Sequence, residues 1–307
     1  MAKASLFIVV SALAAIALGF WVFAERGRLL RKSTWAGLRA GGLHGVVTLD
    51  ALHMYVYGRW TNKYISVLLN RIFPRLDQKG WTWWRDRYHG KILTHDQAEA
   101  IVTLDHDIAQ RDLEQIIPYP MARELVLKGP PDIAAYECAC RHARVASCTP
   151  TQVCMIIGQP FVDFVMEHNP QSSRRLTQAE ALELLRAEHA RGHLHSAWFK
   201  DALLGRFYAI CNCCKCCCGG IEQMVKYGSP ALASSGYVAQ VDDEKCITCG
   251  VCVETCAFNA LSMDQALAVD WAKCMGCGAC ASQCPSEGIA LVRDERKGVP
   301  LDVRWLN

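Results

Sequence analysis

The chain has 307 residues, 51% of them hydrophobic and 21% charged, with 33 Lys and Arg against 30 Asp and Glu. That balance excludes a disordered or collagen-like chain and an extreme polycation or polyanion, and the length allows one to three domains. The 18 cysteines fall in tight runs with metal-ligand spacing, which points away from a disulfide framework and towards a reducing compartment with iron–sulfur or zinc sites.

Residues 5–24 carry no charge. At about 1.5 Å per residue they reach about 30 Å, enough for a hydrocarbon core. Trp21 lies near the far end, and Arg26, Arg28, Arg31 and Lys32 follow, with only Lys3 before the run. A cleaved signal peptide is the rival reading, but the run is long for one and a basic stop-transfer pattern follows it. Residues 1–32 are therefore expected to be a single-pass membrane anchor with a basic flank. The lipid bilayer is an expected partner, with the bulk of the chain on the cytoplasmic side.

Residues 25–91 hold thirteen Lys and Arg against four Asp and Glu. A short apolar run at 43–52 is interrupted by Gly45 and Asp50, too polar for a second span, and a weaker one covers 64–73 before Pro74. Trp60, Trp81, Trp83 and Trp84 are interleaved with Arg59, Lys79, Arg85 and Arg87. Residues 33–92 thus read as a basic, aromatic, membrane-proximal region. It can rest on an anionic surface, dock a membrane partner, or form a small helical domain with core aromatics. No nucleic-acid module is present and no nucleic-acid partner is expected.

Residues 93–235 read as a mainly helical, cysteine-rich domain. Thr94 with Gln97, and Thr177 with Glu180, have capping-box spacing, and the second helix should end at Gly192. Residues 122–127 read as a short helix before Gly129-Pro130-Pro131. His189, His193 and His195 read as surface or capping histidines, since no C-x-x-C-H haem site is present. Two cysteine groups flank the Thr177 helix. One is Cys138, Cys140, Cys148 and Cys154; the other is Cys211, Cys213, Cys214, Cys216, Cys217 and Cys218, followed by Gly219-Gly220. Six thiols in eight residues call for a soft metal or redox work rather than core filling. One or two additional [4Fe-4S] clusters are expected here. Either the first group supplies all four ligands of one, or both groups contribute to each. Zinc at S4 sites and a redox dithiol are the alternatives.

From residue 236 onwards the spacing is sharper. Cys246-x-x-Cys249-x-x-Cys252-x-x-x-Cys256 is repeated as Cys274-x-x-Cys277-x-x-Cys280-x-x-x-Cys284-Pro285. In such runs the fourth cysteine ligates the other cluster. One [4Fe-4S] cluster then takes Cys246, Cys249, Cys252 and Cys284, and the other takes Cys274, Cys277, Cys280 and Cys256. Gly250, Gly276 and Gly278 let backbone approach the clusters and leave amides for sulfur.

On these motifs, residues 241–293 resemble a bacterial two-[4Fe-4S] ferredoxin domain, about a sixth of the chain. The resemblance implies a pseudo-symmetric repeat of β hairpin and helix. Ala257 stands where that family usually has proline after the cysteine, whereas Cys284 keeps Pro285. The region from the anchor through Cys218 resembles the cytoplasmic portions of membrane-anchored 4Fe-4S proteins of anaerobic bacteria. The fold class expected for the chain is α+β, with a transmembrane helix, a mainly helical middle and a ferredoxin-like domain at 236–307.

Residues 241–293 hold seven acidic residues against three basic ones, opposite in sign to residues 25–91. A separate redox protein partner, within a membrane complex, fits that asymmetry. The function expected is membrane-anchored iron–sulfur electron transfer, as a subunit rather than a stand-alone enzyme. A reductase with an active cluster or dithiol at 211–218 is the first alternative, with Lys215 favouring thiolate. A metal-binding interaction protein is the second. No dinucleotide fingerprint, P-loop or serine-nucleophile elbow is present.

Overall fold

The computed structural model describes residues 2–25, 30–40, 49–110, 112–118, 124–203 and 205–306. Helices α1 (Ala2–Glu25), α2 (Lys32–Arg39), α3 (Leu49–Arg59) and α4 (Thr61–Val67) come first. A π turn at Leu68–Ile72 and a 3-10 turn at Phe73–Arg75 prolong α4, and Pro74 is tolerated there because a helix cannot run on through it. Helix α5 (Gln78–Arg85) is capped by Asp77, whose side chain accepts from the Gly80 amide.

The middle of the chain follows as β1 (Tyr88–Leu93), α6 (His95–Val102), β2 (Ile108–Gln110), β3 (Leu125–Leu127), β4 (Ile133–Glu137), α7 (Ala139–His142), β5 (Gln152–Ile157), α8 (Phe161–His168), β6 (Ser173–Leu176), α9 (Gln178–Ala190), β7 (Leu194–Lys200), β8 (Arg206–Cys213), α10 (Gly219–Tyr227) and β9 (Leu232–Ala233). Seven of these strands form one sheet in the order β6-β4-β5-β8-β7-β1-β9. Neighbours are antiparallel except β1 and β9. Both expected capping boxes are present, at Thr94 and Thr177.

Side chains alternate across a strand, so the two faces of the sheet build two cores. Under α6 and α9 lie Leu93, Met155, Phe199, Phe207 and Ile210. The chain's last turns return here, burying Leu301 and Val303 in the same core. The opposite face carries Tyr136, Trp198 and Tyr208, and it is covered by Met54, Leu68, Phe73, Trp84 and Phe161 from the helices before and after β4. Each such fully buried large side chain contributes about 1.5–3 kcal/mol. The cysteines of the middle region sit on this second face.

The carboxyl-terminal part is smaller. Strand β10 (Tyr237–Val241) pairs with β13 (Ile289–Arg293), and β11 (Leu261–Met263) with β12 (Leu267–Val269); α11 (Val251–Thr255) and α12 (Ala279–Ser282) lie between. Its two halves repeat at the backbone. Thr248 and Gly276, Gly250 and Gly278, and Asn259 and Glu287 occupy matching places in the two motifs, and each has positive φ.

Several expectations are corrected. Residues 2–25 form one helix, and Ile8, Val9, Val10, Leu13, Ile16 and Leu18 on it are exposed. Among the described residues, however, no helix is long and apolar enough to cross a membrane. The transmembrane helix and the single-pass membrane localisation are therefore not supported. Glu25 at the end of α1 is instead drawn into the protein, accepting from Thr34 Oγ1 at 3.1 Å and the Arg31 amide at 3.3 Å. The middle region is not mainly helical; it is organised by the sheet. Residues 125–127, expected as helix, are strand β3, paired with β2, while 119–123 lie outside the described residues, as do 41–48 of the apolar run at 43–52. Of the basic region's aromatics, Trp84 is buried and Trp81 stacks on Tyr227 at 4.8 Å, whereas Trp83 is exposed beneath Arg87.

Candidate metal-cluster sites

In the carboxyl-terminal part the eight cysteines line two pockets. Cys246, Cys249, Cys252 and Cys284 line one; Cys256, Cys274, Cys277 and Cys280 line the other. The sets cross between the motifs, as the spacing predicts. Gly250 and Gly278 begin α11 and α12 in left-handed backbone. At Gly276 a Cβ would stand 2.2 Å from the Tyr237 carbonyl oxygen, so only glycine lets the loop close over the second pocket. The amides aimed at sulfur come from other residues than the expected glycines: Ala239 donates to Cys274 Sγ at 3.4 Å, Ala260 to Cys256 Sγ at 3.3 Å and Gly288 to Cys284 Sγ at 3.3 Å. Such donors stabilise charge on a thiolate.

The chemistry of this donor set fits iron–sulfur clusters. Burial pushes the Cys277 thiol up to about 12 and raises that of Cys280 further. Thiols so placed stay protonated unless a cation takes the proton's place, which is what a cluster metal does. Cys249 is the exposed member. It lies among exposed Ile247 and Val251, and Asp242, Asp243, Glu244 and Glu254 are all at the surface.

The ten upstream cysteines divide by strand geometry. In Cys211-Asn212-Cys213 the period of two puts both sulfurs on one sheet face and Asn212 on the other. Asn212 there accepts from His195 Nδ1 at 2.6 Å. Cys154 on β5 shares the cysteine face, and Cys138 and Cys140 come from the start of α7. Cys218 starts α10. The turn between β8 and α10 brings Cys214, Cys216 and Cys217 to Cys148. The ligand atoms of these four lie within 4.8 Å of one another, with Cys216 Sγ 3.0 Å from Cys148 Sγ and 2.9 Å from Cys217 Sγ. Cys148 of the first group thus lies with three cysteines of the second.

One side chain ties these segments together. Arg141 is fully buried, and its guanidinium donates to Glu188 Oε2 at 2.9 Å, to the Asn212 carbonyl at 3.3 Å and to the Pro150 carbonyl. It thus joins α7, the segment between Cys148 and Cys154, and β8. Arg144 adds a bond to the Cys217 carbonyl at 3.3 Å and an ion pair with Glu222 of α10. From sequence, both arginines were visible among the first group of cysteines, between Cys140 and Cys148, but nothing local gave them a role.

The histidines divide as well. His193 bonds Glu188 at 2.7 Å. His195, expected at the surface, is fully buried. With His95 and His189 it forms a group whose ligand atoms lie within 4.8 Å, but the His95 and His189 rings stack face to face at 4.3 Å.

The upstream set of four is close to the carboxyl-terminal clusters' frame. Lys215 donates to the Glu254 carbonyl at 2.9 Å, between Cys252 and Cys256. Gln283, beside Cys284, donates to the Ala190 carbonyl at the end of α9 at 3.0 Å.

No curated protein matches the chain. No solved structure matches it either. The family model of the 4Fe-4S dicluster domain matches residues 239–291. These residues are a 4Fe-4S dicluster ferredoxin domain, and the protein that carries them is an iron–sulfur protein with an electron-transfer domain.

Proposed function

We propose that the protein is a one-electron carrier with at least three [4Fe-4S] clusters. Cys246, Cys249, Cys252 and Cys284 hold the first, Cys256, Cys274, Cys277 and Cys280 the second, and Cys148, Cys214, Cys216 and Cys217 the third. The observation that carries this reading is the convergence of each set of four sulfurs, with the third set's turn bonded through Lys215 to the backbone between Cys252 and Cys256. Bound there, the clusters supply the electron storage. The chain holds the thiolates, aims amides at three of them, and buries Cys214, Cys217, Cys252, Cys274 and Cys280. A separate redox protein with a basic face is the partner this reading requires. It would dock where the exposed Cys249 lies among acidic residues.

The test is an anaerobic redox titration of the full chain followed by electron paramagnetic resonance. Three or more separately reducible centres are expected. Cys256→Ser should abolish the second pocket's centre although it belongs to the first motif, and Cys216→Ser should abolish the third. Two centres in the wild type, unchanged by Cys216→Ser, would refute the third site. Loss of the first pocket's centre in Cys256→Ser would refute the crossed ligation.

A further inference from the structure

Six cysteines are left once the three sets of four are assigned: Cys138, Cys140, Cys154, Cys211, Cys213 and Cys218. They form one connected run of sulfurs. Cys140 and Cys154 lie next to Cys138, Cys154 next to Cys211, and Cys211 next to Cys213. Cys218 Sγ closes on Cys213 Sγ at 3.2 Å. Four separate elements deliver them: the start of α7, strand β5, strand β8 and the start of α10. A run assembled from that many elements is held by the whole fold, unlike crowding along one segment.

All six line a single apolar cavity on the covered face of the sheet, beneath Tyr57, Tyr88 and Trp198, and Cys214 and Cys217 line it too. Its volume is about 100 Å³, against about 10 Å³ and 20 Å³ for the two carboxyl-terminal pockets measured alike. The cavity is thus several times larger than a pocket in the ferredoxin domain. The site is also prepared for negative charge. The Gly219 amide at the start of α10 faces Cys140, and the Ile221 amide faces Cys218, so the first turn of the helix favours charge on these sulfurs. That placement requires the two glycines before Ile221. A Cβ on Gly219 would come within 2.6 Å of Leu69, and one on Gly220 within 2.6 Å of Trp198. Cys138, Cys213 and Cys218 are buried and the other three half-buried, and contacts between thiols are weak, so six thiols would leave this run held by little else.

We infer that Cys138, Cys140, Cys154, Cys211, Cys213 and Cys218 together hold one iron–sulfur cluster with more than four irons. In a four-iron cluster each iron takes one protein thiolate. Six thiolates bound at one per iron therefore need at least about six irons, and the larger cavity is in proportion. The inference extends the proposed function, resting on iron–sulfur loading of the upstream region but not on the third cluster's ligands.

The test is iron mapping by anomalous scattering at the iron edge in crystals of the anaerobically prepared full chain, together with iron analysis of variants. One continuous iron density touching all six sulfurs is expected. Cys154→Ser, Cys211→Ser and Cys218→Ser should each lower iron by more than about four per chain and remove the same spectroscopic feature. Cys216→Ser should lower iron by about four and leave that feature in place. Density for four irons on four of the sulfurs, with two thiols free, would overturn the inference, as would a cavity holding zinc or no metal. Failure of the third-cluster reading would appear separately, as iron unchanged in Cys216→Ser while the cavity density persists. The wild-type map keeps the test decisive where a serine variant does not fold.

Discussion

Replacing Glu188 tests whether Arg141 holds the upstream cysteines in place. Both side chains are fully buried and 2.9 Å apart. Arginine does not give up its proton in a protein, so Glu188→Leu leaves a cation in the interior with only carbonyls and His193 around it. Removing one partner of a buried pair costs about 3–5 kcal/mol. Against a typical total of about 5–15 kcal/mol, that is about a fifth of the stability or more. At a urea slope of about 3 kcal/mol per molar, the unfolding midpoint should fall by at least about 1 M. Glu188→Gln keeps an oxygen that can accept from Arg141 and should cost less than Glu188→Leu. The assay is anaerobic urea unfolding followed by far-ultraviolet circular dichroism, with iron measured on the same samples. The guanidinium reaches the Pro150 and Asn212 carbonyls from α7, so upstream iron should be lost while the carboxyl-terminal clusters remain. A cost under about 1 kcal/mol, the range of an exposed pair, with iron retained, would refute this role for Arg141.

Other positions give independent tests. Gly276→Ala combines a φ of +64° with a Cβ 2.2 Å from a backbone oxygen, and should abolish the second pocket's cluster absorbance while leaving the first; full retention of both would contradict the loop geometry. Thr248 occupies the matching left-handed position with φ of 53°, so Thr248→Gly should gain about 0.5–1 kcal/mol after glycine's entropy cost, read as slower loss of cluster absorbance in urea. Burial holds His89 down at about 4 and His195 at about 3. The unfolded chain takes those protons below about pH 6.5, so stability should fall as pH drops from about 6.5 towards 4. Burial likewise brings Lys200 down to about 7. Its unfolded form stays charged to about pH 10.4, so stability should rise with pH above 7, and a stability profile of Lys200→Met between pH 7 and 9 as steep as the wild type's would count against that burial.

The carboxyl-terminal domain was legible because its information is local. Two copies of one cysteine spacing determine which sulfurs share a pocket, whatever the rest of the chain does. The capping boxes at Thr94 and Thr177 were legible for the same reason, since a threonine and its partner three residues on need no tertiary help. The sheet was not. Strand β7 is buried along its whole length yet includes His195, Ser196 and Lys200, so no apolar alternation marks it. Strand β1 carries Gly90 and Lys91, the lysine buried through bonds to the Ile116 and Val299 carbonyls. One signal was present and unread: Cys211-Asn212-Cys213 has the period of a strand. The grouping of Cys148 with Cys214, Cys216 and Cys217 follows from the turn after Cys213, which brings together residues far apart in the chain. Cys148 meets Cys216 across 68 positions. The span at 5–24 was read from hydropathy, Trp21 and the basic flank, and none of these anticipated that Glu25 at its end is buried against Thr34 and Arg31.

The most direct measurement is iron and acid-labile sulfide per chain in the anaerobically purified full-length protein. The two carboxyl-terminal clusters account for about eight of each. Clusters on the upstream cysteines predict values well above eight for both, with iron and sulfide rising together. About eight of each, with zinc or no metal bound upstream, would contradict the account.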